Sequence, residues 1–258
     1  MRYPIIGFRN GLGQRKKGVE LGVDMLFQQY NEKKTILGGN DQLLSDNIND
    51  LYEMNNSVYG RRINIGGDHS MSIATVAHSA NTYDNLKLLW IDAHGDINTP
   101  NSSYSKNMHG MVLSFLTGLT KKGRFKFIDR EVKFQNILYV GLRDLDLYEK
   151  MLINSFKIDF LTVDKFNDIG LEYIDNFIGK DRVHISFDVD SLDPQYVPST
   201  GTPVPKGLDV YGLCELFKLL RMKRWVNLDI TEFNPLIGDY RDVILSKRNI
   251  EKIVNELM

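Results

Sequence analysis

Short apolar runs punctuate the chain, separated by longer stretches in which apolar residues recur every three or four positions. The short runs are YPIIGF, KTIL, RINI, LKLLWI, NILYV, IDFL, RVHISF and RWVNLDI. Most are close to continuously apolar, which predicts strands covered on both faces, as in a parallel sheet. The longer stretches GVELGVDMLFQQYN, NDQLLSDNINDLYEMN, SMSIATVAHSA, HGMVLSFLTGL, LDLYEKMLINSF, LEYIDNFIG, DVYGLCELFKLLRM and RNIEKIVNEL predict helices. Strand and helix alternate from end to end. The expected fold is α/β, a three-layer α/β/α arrangement with a mostly parallel sheet of about eight strands. No compositional break, repeat or linker divides the chain, so residues 1–258 are expected to form a single domain.

Composition narrows the function classes. At 258 residues, 42% hydrophobic and 25% charged, the chain is long and apolar enough to bury a large core. Its 32 basic and 33 acidic residues leave no excess positive charge to attract nucleic acid. No run reaches the ~18 apolar residues of a membrane span. The apolar run in MRYPIIGFRN is too short for a secretory segment, so a cytoplasmic protein with no membrane partner is expected. Cys214 is the single cysteine, which excludes an intramolecular disulfide; its helical context suits a small buried hydrophobe.

The chemistry gathers where strands end. RINI runs into Asp68 and His69, LKLLWI into Asp92, His94 and Asp96, and RVHISF into Asp188 and Asp190. In extended chain, residues at i, i+2 and i+4 point the same way, so each set can converge on a point. In open α/β sheets that point lies in the crevice beyond the strands' carboxyl ends. The two most loop-like segments, INTPNSSYSKN and LDPQYVPSTGTPVPKG, follow two of these ends. Four carboxylates sharing a crevice repel unless protonated or neutralised by cations. Two imidazoles beside them make a pair of divalent metals the economical solution. An oxygen-rich set without thiolate leans to Mn²⁺. Such a pair polarises a substrate and ionises a bridging water, which points to hydrolysis of an unreactive carbon centre.

One Asp-x-His alone is equally a turn, a cap or a surface ion pair; three such sets at predicted strand ends carry the metal reading. Asp68 is expected to orient the loop or His69. His109 is open between proton shuttling and a helix-start histidine, and Glu232 between pairing with a planar cation and capping a turn. His184 and His78 are expected to be structural. Lys16 and Lys17 lack the spacing of a phosphate loop and suit a solvated surface.

Together GGDHS, DAHGDINTP and SFDVDSLDP resemble the metal-binding signature of the ureohydrolase family, and of the arginases within it. GQRKKGVELG, VGLRDLDLYE, PSTGTPVPKGL and LDITEFNP extend the resemblance almost end to end. It implies two Mn²⁺ ions, one held by His69, Asp92, Asp96 and Asp188, the other by Asp92, His94, Asp188 and Asp190. It further implies that Glu232 faces a guanidinium group, His109 shuttles protons, Asp96 passes a proton to the leaving amine, and Thr202 lines the pocket. Asn98, Ser105 and Asn107 match residues around an α-carboxylate, and Asp146 and Glu149 those around an α-ammonium. The implied reaction is hydrolysis of L-arginine to L-ornithine and urea by a metal-bridging hydroxide, in a homo-oligomer (trimer or hexamer). The alternatives are another guanidino or formimino substrate, as in agmatinases or guanidinobutyrases, and a metal-binding protein without turnover.

The chain departs from the family at Lys106 and Lys206, where glycine is usual, and at Met111-Val112, where Gln-Pro is common. A lysine at a glycine's positive φ costs about 1 kcal/mol or reshapes the loop. These changes spare the metal set and bear on substrate selectivity and rate.

Overall fold

The protein is described from a computed structural model, which covers residues 3–28, 43–123 and 125–258, with the backbone of 34–37. Each apolar run coincides, to within two residues at either end, with a strand: β1 (Ile5–Arg9), β2 (Lys34–Leu37), β3 (Arg62–Gly66), β4 (Lys87–Ile91), β5 (Ile137–Val140), β6 (Asp159–Leu161), β7 (Arg182–Asp188) and β8 (Arg224–Thr231). They form one eight-stranded sheet in the order β2-β1-β3-β8-β7-β4-β5-β6, every neighbouring pair parallel.

Parallel neighbours need crossovers, and the helices that supply them cover both faces. One face carries α1 (Gly22–Met25), α6 (Val163–Ile178), α7 (Val210–Arg221) and α8 (Tyr240–Asn255). The other carries α2 (Leu44–Asn56), α3 (Ser72–Thr82), α4 (Val112–Leu116) and α5 (Leu147–Phe156). Along β4 the side chains divide by parity, Leu89 and Ile91 into the first core, Leu88 and Trp90 into the second. Each fully buried Leu or Ile stabilises the fold by roughly 1.5–3 kcal/mol. Cys214 is buried on α7, as expected. Aspartate or threonine side chains cap α5, α6, α7 and α8, from Asp146, Thr162, Asp209 and Asp239; each such cap contributes about 1 kcal/mol.

One expected helix is mostly absent. GVELGVDMLFQQYN forms only a single 3₁₀ turn (Val19–Leu21) and the four-residue α1 before Leu26 turns extended; its last three residues, 29–31, lie outside the described residues. The segment is pressed onto the loop after β8. A Cβ on Gly22 would meet the Phe233 carbonyl at 2.3 Å, and Gly18 sits at φ 109° against Asn234. These glycines serve close approach, which takes precedence over helical periodicity.

Candidate metal centre

Four neighbouring strands, β3, β8, β7 and β4, deliver the strand-end acids and histidines to one place at the sheet's carboxyl edge. The turn after β4 gives Asp92, His94 and Asp96; Asp96 adopts φ 47°, and the Tyr139 hydroxyl on β5 donates to the Gly95 carbonyl at 2.6 Å. The carboxyl end of β7 gives Asp188, whose Oδ1 accepts the Asp190 N–H.

The side chains converge as two overlapping sets. His69, Asp92 and Asp96 bring one ligand atom each within 4.8 Å of one another, and so do Asp92, His94 and Asp190. Asp92 is common to both. Nδ1 of His69 lies 3.2 Å from Asp92, 3.0 Å from Asp96 and 3.1 Å from Asp188. Nδ1 of His94 lies 3.0 Å from Asp190 and 3.5 Å from Asp92. Although surrounded by carboxylates, the buried His69 Nδ1 has no hydrogen-bond partner among the described residues. A lone pair aimed among three carboxylates without hydrogen-bond geometry fits a divalent cation, and the oxygen-rich donors suit a hard or borderline one.

Electrostatics agrees. Burial lifts the Asp188 carboxyl, and Asp190 and Asp92 push it well above the usual carboxylate range. Asp96 is raised to about 6 by burial and then by Asp92. Burial opposes charge on His69 and His94, yet the surrounding carboxylates hold both imidazoles well above their ordinary range. Carboxylates that resist ionising together call for positive charge among them.

The residues around this centre split into groups. Glu232, buried at φ 68°, accepts from Gln14 Nε2 at 2.6 Å and from the His69 N–H at 2.9 Å, and pairs with His109 Nδ1 at 3.0 Å. That pairing raises His109 to about 9, against its burial. Thr202 donates to Asp190 Oδ2 at 3.0 Å. Asn98 donates to Asp146 at 2.7 Å and accepts from Ser102 at 2.7 Å, while Asp146 and Glu149 form the capping box of α5. Burial, then Asp96 and Asp146, lifts Glu149 to about 7. Ser105 and Asn107 form a second local pair, the Asn107 N–H donating to Ser105 Oγ at 3.2 Å. Lys106 between them sits at φ 59° and Lys206 at φ 61°, the left-handed conformation that glycine favours. Asp68 accepts the Ser70 and Gly13 N–H groups, orienting the loop as expected. His184 is a satisfied core histidine between Ser79 and Asp229.

Sequence reasoning passed over three residues. Trp90 stacks on His69 at 4.2 Å and donates from Nε1 to Asp92 at 3.0 Å. Ser186 Oγ meets His69 Nε2 at 2.8 Å, leaving Nδ1 for the cluster. Both lie two residues before a strand-end aspartate, so the period that exposed the acids also marked them. Gln14, the third, carried no such signal.

Comparison with known proteins gives the same picture. The Arginase family model matches residues 9–254. An arginase of Entamoeba histolytica is 32% identical, aligned over 98% of this chain and 88% of its own length. An arginase of Staphylococcus aureus is 32% identical, over 90% of each. The crystal structure of Entamoeba histolytica arginase with L-ornithine superposes with a TM-score of 0.90, at 29% identity, over 100% of this chain and 99% of that one.

Proposed function

This chain belongs to the arginase family of hydrolases, and from that premise we propose that it hydrolyses L-arginine to L-ornithine and urea with two Mn²⁺ ions. The observation that carries the reading is the pair of ligand sets sharing Asp92, with the His69 Nδ1 turned into them. In this reading His69, Asp92, Asp96 and Asp188 hold one ion, and Asp92, His94, Asp188 and Asp190 the other. When bound, the pair supplies Lewis acidity and a water nucleophile ionised near neutral pH.

The chain's own groups do the rest. Glu232 orients the planar guanidinium by charge-assisted hydrogen bonds. Asp96 takes a proton from the attacking water and delivers it to the departing amine of ornithine, so the C–N bond breaks as urea forms. His109, joined to Glu232, exchanges protons with solvent. Asn98, Ser105 and Asn107 receive the α-carboxylate, Asp146 and Glu149 the α-ammonium, and Thr202 completes the pocket beside Asp190. We read residues 1–258 as one domain of a cytoplasmic homo-oligomer, a trimer or hexamer. Among the described residues no helix is long and apolar enough to cross a membrane.

One observation favours a different guanidino substrate: Asn98 already gives one amide N–H to Asp146, and its carbonyl accepts from Ser102. An enzyme for agmatine, which lacks a carboxylate, has no need of that donor. Urea release by Mn²⁺-loaded protein, assayed with L-arginine and agmatine side by side, decides. Urea from arginine alone is expected. Urea from agmatine alone would replace the substrate, and none from either, with two metals bound, would leave a metal-binding protein without this turnover.

A further inference from the structure

Arg143 lies three residues beyond β5, in the VGLRDLDLYE segment, and has no part in the chemistry above. The five N–H groups of its partly buried guanidinium reach six acceptors, one N–H of Nη2 being shared between two. Nη1 reaches the carbonyls of Gly141 at 3.0 Å and Ser191 at 3.1 Å. Nη2 reaches Asp190 and Val204, both at 2.8 Å, and Leu192 at 3.3 Å, while Nε reaches Pro205 at 3.3 Å. All six acceptors are main-chain carbonyls. The main chain joins in, because the N–H groups of Arg143 and Asp144 both donate to Ala93, between Asp92 and His94.

Arg143 thus ties together the turn bearing Asp92 and His94, the end of β5, the segment bearing Asp190, and the far side of the Thr202 loop. The Asp190 carboxylate stays clear of it, committed instead to His94, Thr202 and the Ala93 N–H. We propose that Arg143 is the positioning residue of this half of the centre: it fixes Asp190 and Thr202 opposite His94 by gripping the main chain that carries them. Five N–H donors in a rigid plane can span three loop segments, which three donors on a mobile ammonium cannot. The Ser191 carbonyl also accepts the Leu208 N–H at 2.9 Å, but buried backbone carbonyls in irregular chain need a partner, so the loops relax when the fork is removed.

The proposal rests on reading Asp190 as a metal ligand, and its test separates the two. Mn²⁺ binding is followed by calorimetry and metal analysis in the whole protein, beside Arg143→Ala and Arg143→Lys. Amide exchange is measured on the same proteins without metal. Wild type is expected to take up two equivalents. Both variants should retain one and bind the other about 10–100-fold more weakly, the usual effect of losing a ligand's supporting partner. Amides in 189–193 and 204–208 should exchange faster in both, with β4 and α3 unchanged. Millimolar guanidinium should restore the lost equivalent to Arg143→Ala and not to Arg143→Lys, a readout that generally weakened packing would not give. Two tightly held equivalents in either variant, or unaltered loop exchange, would overturn the role of Arg143. Absence of two equivalents in wild type would overturn the metal reading itself. If Arg143→Ala does not fold, Arg143→Lys decides on binding and exchange.

Discussion

The two halves of the centre are built from different material. His69 is fully buried and held by side chains that stand on strands: Trp90 of β4 stacks on it and Ser186 of β7 holds its Nε2. Behind Ser186, Ser72 and His184 meet the buried Asp229 of β8, so the support runs through the sheet. The His94 side chain is 24% exposed, with Nε2 3.6 Å from Asp144 on the rim. Its partner Asp190 is held by Thr202 and by a loop that Arg143 grips through main-chain carbonyls. The sheet half is bound up with the core. The loop half is expected to tolerate change with little effect on that core, and it adjoins the residues proposed to select the substrate.

Asp92 is where the halves meet, so it gives the largest expected effect. Asp92→Ala should remove both metal equivalents and lower urea release by more than ~100-fold, beyond the loss caused by changing only a ligand's supporting partner. A variant that keeps one tightly bound metal would mean that the halves do not share a ligand. The contrast itself is sharpened by Ser186→Ala beside Thr202→Val. Ser186→Ala leaves the buried His69 Nε2 without its partner. It should weaken metal binding by about 10–100-fold and cost about 1–3 kcal/mol of stability. Thr202→Val should change metal affinity and KM while leaving thermal stability within ~0.5 kcal/mol of wild type. Equal losses of stability in the two variants would break the comparison.

This division also explains what could be read from the sequence. Strands are local patterns, and each described strand falls on an apolar run, with β1, β3, β7 and β8 ending one residue past it; the alternating Asp92, His94 and Asp96, and Asp188 and Asp190, came with them as candidate ligands. The order that sets β8 between β3 and β7, and so brings Glu232 beside His69, depends on distant pairings. The positive φ of Asp96 and Glu232 is likewise imposed by tertiary context, since nothing in DAHGD or ITEFN marks it. Trp90 and Ser186 were within reach of the period-two pattern but were read only as strand residues. Arg143 was out of reach, because its partners are carbonyls, which every residue has.

The smallest effect tests whether the loop half also tunes the substrate. Lys106 holds φ 59°, and its ammonium donates to the Pro100 carbonyl at 2.8 Å, back along its own loop. A side chain in that conformation costs about 1–2 kcal/mol, while glycine's greater freedom in the unfolded chain returns about 0.4–1 kcal/mol of that. Lys106→Gly should therefore stabilise the protein by up to about 1 kcal/mol, a rise in Tm of roughly 2–4 °C. An ammonium engaged within its own loop gives the substrate at most a long-range attraction across solvent, about 1 kcal/mol. The KM for L-arginine should accordingly stay within about fivefold of wild type. A rise in KM of tenfold or more, with kcat unchanged, would mean instead that Lys106 leaves Pro100 to hold the substrate's carboxylate, and that this loop grips its ligand with the residue that strains it.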